Sequence, residues 1–127
     1  MIQPKILLID DHADFLLMLS VLLERNGYSV ITAANGKEGL REAHSNDLDL
    51  IITDILMPEQ DGLELMTALR SENNETPIIA TSGGEKIDLG VCPHTAKLMG
   101  AKRIFEKPFD NKEFLSAVDE VISSNDC

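Results

Sequence analysis

Five short apolar runs alternate with longer amphipathic stretches along the 127 residues, and that alternation leaves few folds open. The runs are Lys5–Asp10, Tyr28–Ala33, Leu48–Asp54, Pro77–Ser82 and Lys102–Glu106. Three of them contain nearly continuous Ile and Leu. Strands covered on both faces of a parallel sheet have that composition. Between the runs, Phe15, Leu16, Met18, Leu19, Leu22 and Leu23 recur at helical spacing, and Asn26-Gly27 supplies a stop. Asn35 is placed to cap a second helix reaching about Ser45, and Asp61-Gly62 opens a third that holds Leu63, Leu65, Met66 and Leu69. A fourth helix falls within Asp88–Met99. Asp110 caps a fifth, with Phe114, Leu115, Val118, Val121 and Ile122 as its buried stripe.

Strand and helix in strict alternation predict an α/β fold, a (βα)5 doubly wound three-layer sandwich with right-handed crossovers. Five strands are too few for a barrel, so a parallel five-stranded sheet of order 2-1-3-4-5, the flavodoxin-like arrangement, is expected. Residues 1–127 are read as one domain, with no room for an output domain after the last helix. The stretch Gly83–His94 is Gly-rich and holds Pro93, so a late fourth helix and a mobile loop are expected there.

Composition narrows the partners. The formal charge is −11, from 22 acidic and 11 basic side chains, with no basic stripe. Such a surface repels phosphate backbones, so direct nucleic-acid binding is not expected. No apolar stretch approaches the ~20 residues of a membrane span, and the first residues lack a signal-peptide pattern. The two cysteines, Cys92 and Cys127, form no disulfide framework. A cytoplasmic location follows.

In a sheet of this order all strands end at one edge, and ligands bind where the strand order reverses, between the first and third strands. The first strand ends in Asp10-Asp11, the third in Asp54, the fourth in Ser82 and the fifth in Lys107. The second, an edge strand away from the crevice, ends in Ala33-Ala34. Chemistry-bearing side chains thus occupy the four strand ends that can share a site. Three carboxylates brought together repel one another unless a cation joins them. Oxygen-only ligation of this kind suits Mg²⁺. Taken singly, Asp11 with Asp14 also reads as a helix cap, Asp54 as a strand-end turn, and His12 as a surface residue at a helix start rather than a catalytic base or metal ligand. Ser82-Gly83-Gly84 permits close backbone approach to an anion. Lys107 before Pro108 offers a point charge for phosphate, and this X-Pro bond invites a cis peptide.

The ordered set of Asp10-Asp11, Asp54-Ile55-Leu56-Met57-Pro58 with Asp61-Gly62, Pro77 through Ser82, and Lys107-Pro108-Phe109 resembles the receiver domain of two-component response regulators over essentially the whole chain. The resemblance implies a phosphoacceptor signalling domain and not an enzyme acting on a separate substrate. By it, Asp54 accepts a phosphoryl group from a histidine kinase or phosphotransfer protein. Asp10, Asp11, Asp54 and the backbone carbonyl of Leu56 hold Mg²⁺. Ser82 moves to the phosphoryl group, Lys107 pairs with it, and a downstream partner protein reads the change on the fourth helix, fifth strand and fifth helix.

Two departures bear on that signalling surface. The family usually carries Tyr or Phe three residues before the lysine, where this chain has Ile104 with Phe105 beside it. The stretch from Ser82 to Lys107 also runs a few residues long. Two other classes fit less well. A haloacid-dehalogenase-type hydrolase needs Asp-x-Asp after the first strand, which Asp10-Asp11-His12 does not supply. A flavodoxin-like cofactor binder is disfavoured by a chain with no Trp and one Tyr. Leu56 and Gly84 flank the acyl phosphate in the receiver reading, and an apolar Leu56 hinders an attacking water. The phosphoryl group is therefore expected to decay more slowly in this protein than in Leu56→Asn. Equal or faster decay in the unaltered chain, followed by intact mass, would refute that role.

Overall fold

The computed structural model describes residues 3–55, 62–83 and 100–124. β1 (Lys5–Ile9), β2 (Ser29–Ala33), β3 (Leu50–Asp54), β4 (Ile78–Gly83) and β5 (Ala101–Lys107) form one sheet. Its order is β2-β1-β3-β4-β5, and every adjacent pair is parallel. The helices among the described residues are α1 (Ala13–Arg25), α2 (Gly36–Ser45), α3 (Gly62–Ser71) and a C-terminal helix (Asn111–Ser124). The helix expected within Asp88–Met99, the loop beyond Gly83 and the opening residue Asp61 lie outside the described residues.

Each central strand sends alternate side chains to two separate cores, which is why the runs read as continuous Ile and Leu. Leu7, Ile9, Ile51, Ile78 and Ala80 join Ala43 of α2 and Leu65, Met66 and Leu69 of α3 on one face. Ile6, Leu8, Leu50, Ile52 and Ile79 join Leu19 and Leu23 of α1 and Phe114 and Val118 of the C-terminal helix on the other. Burying each such aliphatic side chain contributes about 1.5–3 kcal/mol. The two apolar layers therefore hold the sheet between its helices.

The helix ends follow their capping residues. Asn35 Oδ1 accepts from the Glu38 N–H at 2.9 Å, while the Asn35 amide donates back to Glu38 Oε2 at 3.0 Å. Asp110 Oδ1 accepts from the Lys112 and Glu113 N–H groups at 2.8 and 3.1 Å. Gly27 follows Asn26, the C-cap of α1, with φ +93°, a conformation that favours glycine. Met18, expected in the buried stripe of α1, is instead half exposed beside the exposed Leu17 and Val21. It sits at the rim of the stripe, where the turn of the helix carries it off the sheet. Gly39 of α2 marks a close approach, because a Cβ there would fall on Ile9 Cδ1 and lie 3.0 Å from its Cγ1.

One irregularity sets which way β5 points. The β4–β5 register shifts at the start, pairing Ile78 with Ala101 but Ile79 with Arg103, so Lys102 is an extra residue. A bulge of this kind inverts the facing of everything after it. Ala101 and Ile104, three positions apart, consequently both face the α2–α3 core. Phe105 goes to the opposite core.

Tyr28 leads into β2 and packs on the core beneath α1 and the C-terminal helix. Burial pushes its phenol above the ordinary value of 10.0, and the charge and hydrogen bond of Asp119 push the same way. Because the folded pKa is the higher one, this contact stabilises the protein fully below the unfolded pKa and is lost as pH rises through the folded one. Tyr28 is the sole tyrosine and there is no tryptophan, so near-ultraviolet phenolate absorbance reports it alone. The titration midpoint is expected above 10.0 and closer to it in Asp119→Asn; an unchanged midpoint in the variant would dismiss the contact.

Candidate functional site

The C-terminal edge of the sheet gathers charge in a setting that is otherwise apolar. Asp10 follows β1, and its N–H donates to the Ala33 carbonyl of β2 at 3.1 Å, which fixes its backbone beyond the strand. Asp54 closes β3 opposite Thr81 of β4, and the next residue, Ile55, donates its N–H to the Thr81 carbonyl at 2.9 Å. Lys107 closes β5 opposite Gly83. Asp10 is 1% exposed and Asp54 0%. Neither carboxylate can rely on water.

Lys107 answers both. Its Nζ donates to Asp10 Oδ2 at 2.6 Å and to Asp54 Oδ2 at 3.3 Å, reaching over the end of β4 to do so. Burial pushes the Lys107 ammonium toward losing its proton, but the Asp10 hydrogen bond and the charges of Asp54 and Asp10 outweigh it. The result is a pKa raised above 10.5, so the group is a cation at neutral pH. The ammonium also lies 4.3 Å from the centroid of the Phe15 ring, a cation–π distance. Phe15 packs edge-on to Phe109 at 5.9 Å, and Phe109 stacks on Phe114 at 4.7 Å. Phe105 meets both Phe109 and Phe114, so one aromatic wall lies under the lysine. The Lys107-Pro108 peptide is cis, as its residues invited.

Asp11 does not cap α1. The N-cap residue is His12, and it makes no side-chain capping bond. Asp11 instead stands at the rim of the edge, with its Oδ1 3.2 Å from His12 Nδ1. The same Nδ1 lies 3.2 Å from Asp10 Oδ1. Ligand atoms from Asp10, Asp11, His12 and Asp54 all fall within 4.8 Å of one another. A cluster of this composition is able to hold a cation. Ser82 reaches the same edge one residue beyond the partner of Asp54, is 4% exposed, and its Oγ has no hydrogen-bond partner among the described residues. A buried hydroxyl in that condition fits a ligand that brings its own acceptor oxygens. The Leu56 carbonyl and Gly84 lie outside the described residues.

Sequence reasoning thus placed Asp10, Asp11, Asp54, Ser82 and Lys107 at one edge. The structure joins Asp10, Asp54 and Lys107 directly. One residue escaped it. Phe15 was read only as helix stripe, and nothing in the sequence pairs it with a lysine 92 positions on. His12, read as a helix-start surface residue ahead of a catalytic base or metal ligand, is exposed and stands 3.2 Å from both Asp10 and Asp11.

A family model described as the response regulator receiver domain matches residues 6–119. The chain belongs to that family. Receiver domains are phosphoacceptor modules of two-component signalling. The transcriptional regulatory protein PrrA of Mycobacterium tuberculosis is 36% identical over 120 residues, covering 94% of this chain and 50% of PrrA. The alkaline phosphatase synthesis transcriptional regulatory protein PhoP of Bacillus subtilis is 35% identical over 123 residues, covering 94% of this chain and 49% of PhoP. The receiver chain thus spans about half the length of the curated relatives it matches. The chemotaxis response regulator CheY4 of Vibrio cholerae superposes with a TM-score of 0.81 at 33% identity, covering 94% of this chain and 99% of CheY4. Among the described residues, no helix is long and apolar enough to cross a membrane.

Removing one partner from a buried ion pair strands the other charge and typically costs 3–5 kcal/mol. Lys107→Met is therefore expected to lower unfolding stability by roughly 3 kcal/mol at neutral pH. Adding Asp54→Asn should recover part of that loss, because one of the two stranded carboxylates is gone. Denaturant unfolding of both single variants and the double variant measures this coupling, and strict additivity would rule it out.

Proposed function

We propose that this receiver domain takes a phosphoryl group onto Asp54 from the phosphohistidine of a histidine kinase or phosphotransfer protein. The reading rests above all on Lys107, whose ammonium bridges Asp10 and Asp54 at the end of the sheet. Phosphoryl transfer demands positioning and neutralisation of charge on the transferred group more than covalent assistance. A carboxylate oxygen of Asp54 forms the new P–O bond as the P–N bond of the donor breaks, and no proton need leave Asp54.

Lys107 shifts its hydrogen bonding from the free carboxylate toward a phosphoryl oxygen. Ser82 donates its buried hydroxyl to another. Asp10 and Asp11, with Asp54 and the Leu56 carbonyl, form the ligand set for Mg²⁺. That ion, when bound, supplies further neutralisation of the phosphoryl charge. The donor set supports this assignment, since three carboxylates from two strand ends offer hard oxygen ligands within 4.8 Å.

Phosphorylation adds roughly −1.5 to −2 charges at one buried point. Ser82 and Lys107 then gain a partner that exists only in the phosphorylated state, so β4 and β5 are biased toward one of two arrangements. A partner protein reads that bias. Ile104 holds the position where the family usually has an aromatic residue, and the aromatic Phe105 faces the α1 side. We infer that this protein reports phosphorylation without an aromatic rotamer switch on the Ile104 face.

Acetyl phosphate with Mg²⁺, followed by intact mass, tests the assignment. A single added phosphoryl group is expected in the unaltered protein and none in Asp54→Asn. Addition at full yield to Asp54→Asn would overturn the acceptor assignment, and rapid acetyl phosphate turnover with no adduct would favour a hydrolase.

A further inference from the structure

His12 is the one residue of the acidic edge to which the receiver reading gives no task. Its backbone N–H donates to Asp10 Oδ1 at 2.9 Å, seating the start of α1 against that carboxylate. The ring turns the same way, with Nδ1 3.2 Å from Asp10 Oδ1 and 3.2 Å from Asp11 Oδ1. Its side chain is 62% exposed, so packing does not force it there. Two donors on a tetrahedral cation with bonds of about 2.0 Å stand roughly 3.3 Å apart. Both His12 separations match such an edge. Asp10 meanwhile divides its oxygens, giving Oδ2 to Lys107 and turning Oδ1 toward His12. An oxygen that accepts one N–H still has a lone pair for a cation.

We propose that His12 adds an imidazole nitrogen to the cation site of this receiver domain and tilts its selectivity toward Zn²⁺. The proposal rests on the reading of Asp10, Asp11 and Asp54 as cation ligands. Mg²⁺ takes oxygen ligands and keeps several waters, so the ring adds little to its binding. Zn²⁺ accepts nitrogen and oxygen donors together, and the ring then supplies a large share of its affinity. His12 is in this view a selectivity residue, held in place by the same short link that joins β1 to α1. Removing its ring spares the helix start, since His12 makes no side-chain capping bond.

The test is calorimetric titration of Zn²⁺ and, separately, Mg²⁺ into the full chain and into His12→Ala. Both proteins carry Cys92→Ser and Cys127→Ser, which removes thiol ligands, and His44 and His94 are common to both. Zn²⁺ is expected to bind at least about tenfold more weakly to His12→Ala, with Mg²⁺ binding essentially unchanged. Co²⁺ gives a second readout, because loss of a nitrogen ligand shifts its visible ligand-field bands. An unaltered ratio of Zn²⁺ to Mg²⁺ affinity, with an unaltered Co²⁺ spectrum, overturns the proposal and leaves the ring as a hydrogen-bond partner of Asp10 and Asp11. Failure of Mg²⁺ to bind either protein would overturn it at a different point, by removing the carboxylate cation site on which it rests.

Discussion

Two carboxylates lie buried at the end of a parallel sheet, and a single ammonium faces both. Asp10 and Asp54 are almost wholly withdrawn from water. Charges so placed are costly unless a cation meets them at short range. Lys107 does so from the end of β5, which ties β1, β3 and β5 together across the strand that separates them. The lysine is itself held, with its head over Phe15 and the four phenylalanines of the chain gathered beneath. Such aromatic pairs contribute about 0.5–1.5 kcal/mol each beyond the area they bury. One ammonium against three acidic side chains leaves the site two positive charges short. Its carboxylates are able to hold a further cation, and the buried Ser82 hydroxyl has no hydrogen-bond partner among the described residues.

The packing around this edge determines how a change there spreads. The sheet separates two cores, and every central strand contributes to both. A displacement of β5 is thus felt on both sides at once. The bulge at Lys102 decides which side chains feel it. After the bulge Ile104 points into the α2–α3 core, while Phe105 enters the aromatic wall below Lys107. The aromatic side chain of β5, Phe105, is linked to Lys107 through Phe109 and Phe15. On the Ile104 face, a branched aliphatic side chain with stiff torsions stands where an aromatic ring would otherwise swing.

The strand runs, the caps at Asn35 and Asp110 and the turn at Gly27 were legible because each is a local rule: alternation, a side-chain acceptor for free N–H groups, or a positive φ. The candidate site was legible for a topological reason. Once the order of a parallel sheet is known, strand ends must meet, so Asp10, Asp54, Ser82 and Lys107 could be assembled without any coordinates. Met18 was misjudged because helical period alone does not say how wide a face the sheet covers. The orientation of His12 was not legible, because a ring at a helix start has no intrinsic direction until neighbouring oxygens give it one.

By itself, then, the amino-acid sequence determined the architecture and the list of groups at the active edge, since both follow from hydrophobic period and strand order. Tertiary structure decided how those groups divide their bonds. Asp10 splits its oxygens between Lys107 and His12, Asp11 leaves the helix cap for the rim, and Phe15 supports a lysine far along the chain. Each of those outcomes depends on distances of a few ångströms, and the two that involve Lys107 join residues remote in sequence. That Ile104 and Phe105 face opposite ways follows from strand alternation, but which core each one enters belongs to the same class. A one-residue bulge reverses it, and strand alternation read from sequence carries no mark of where the register slips.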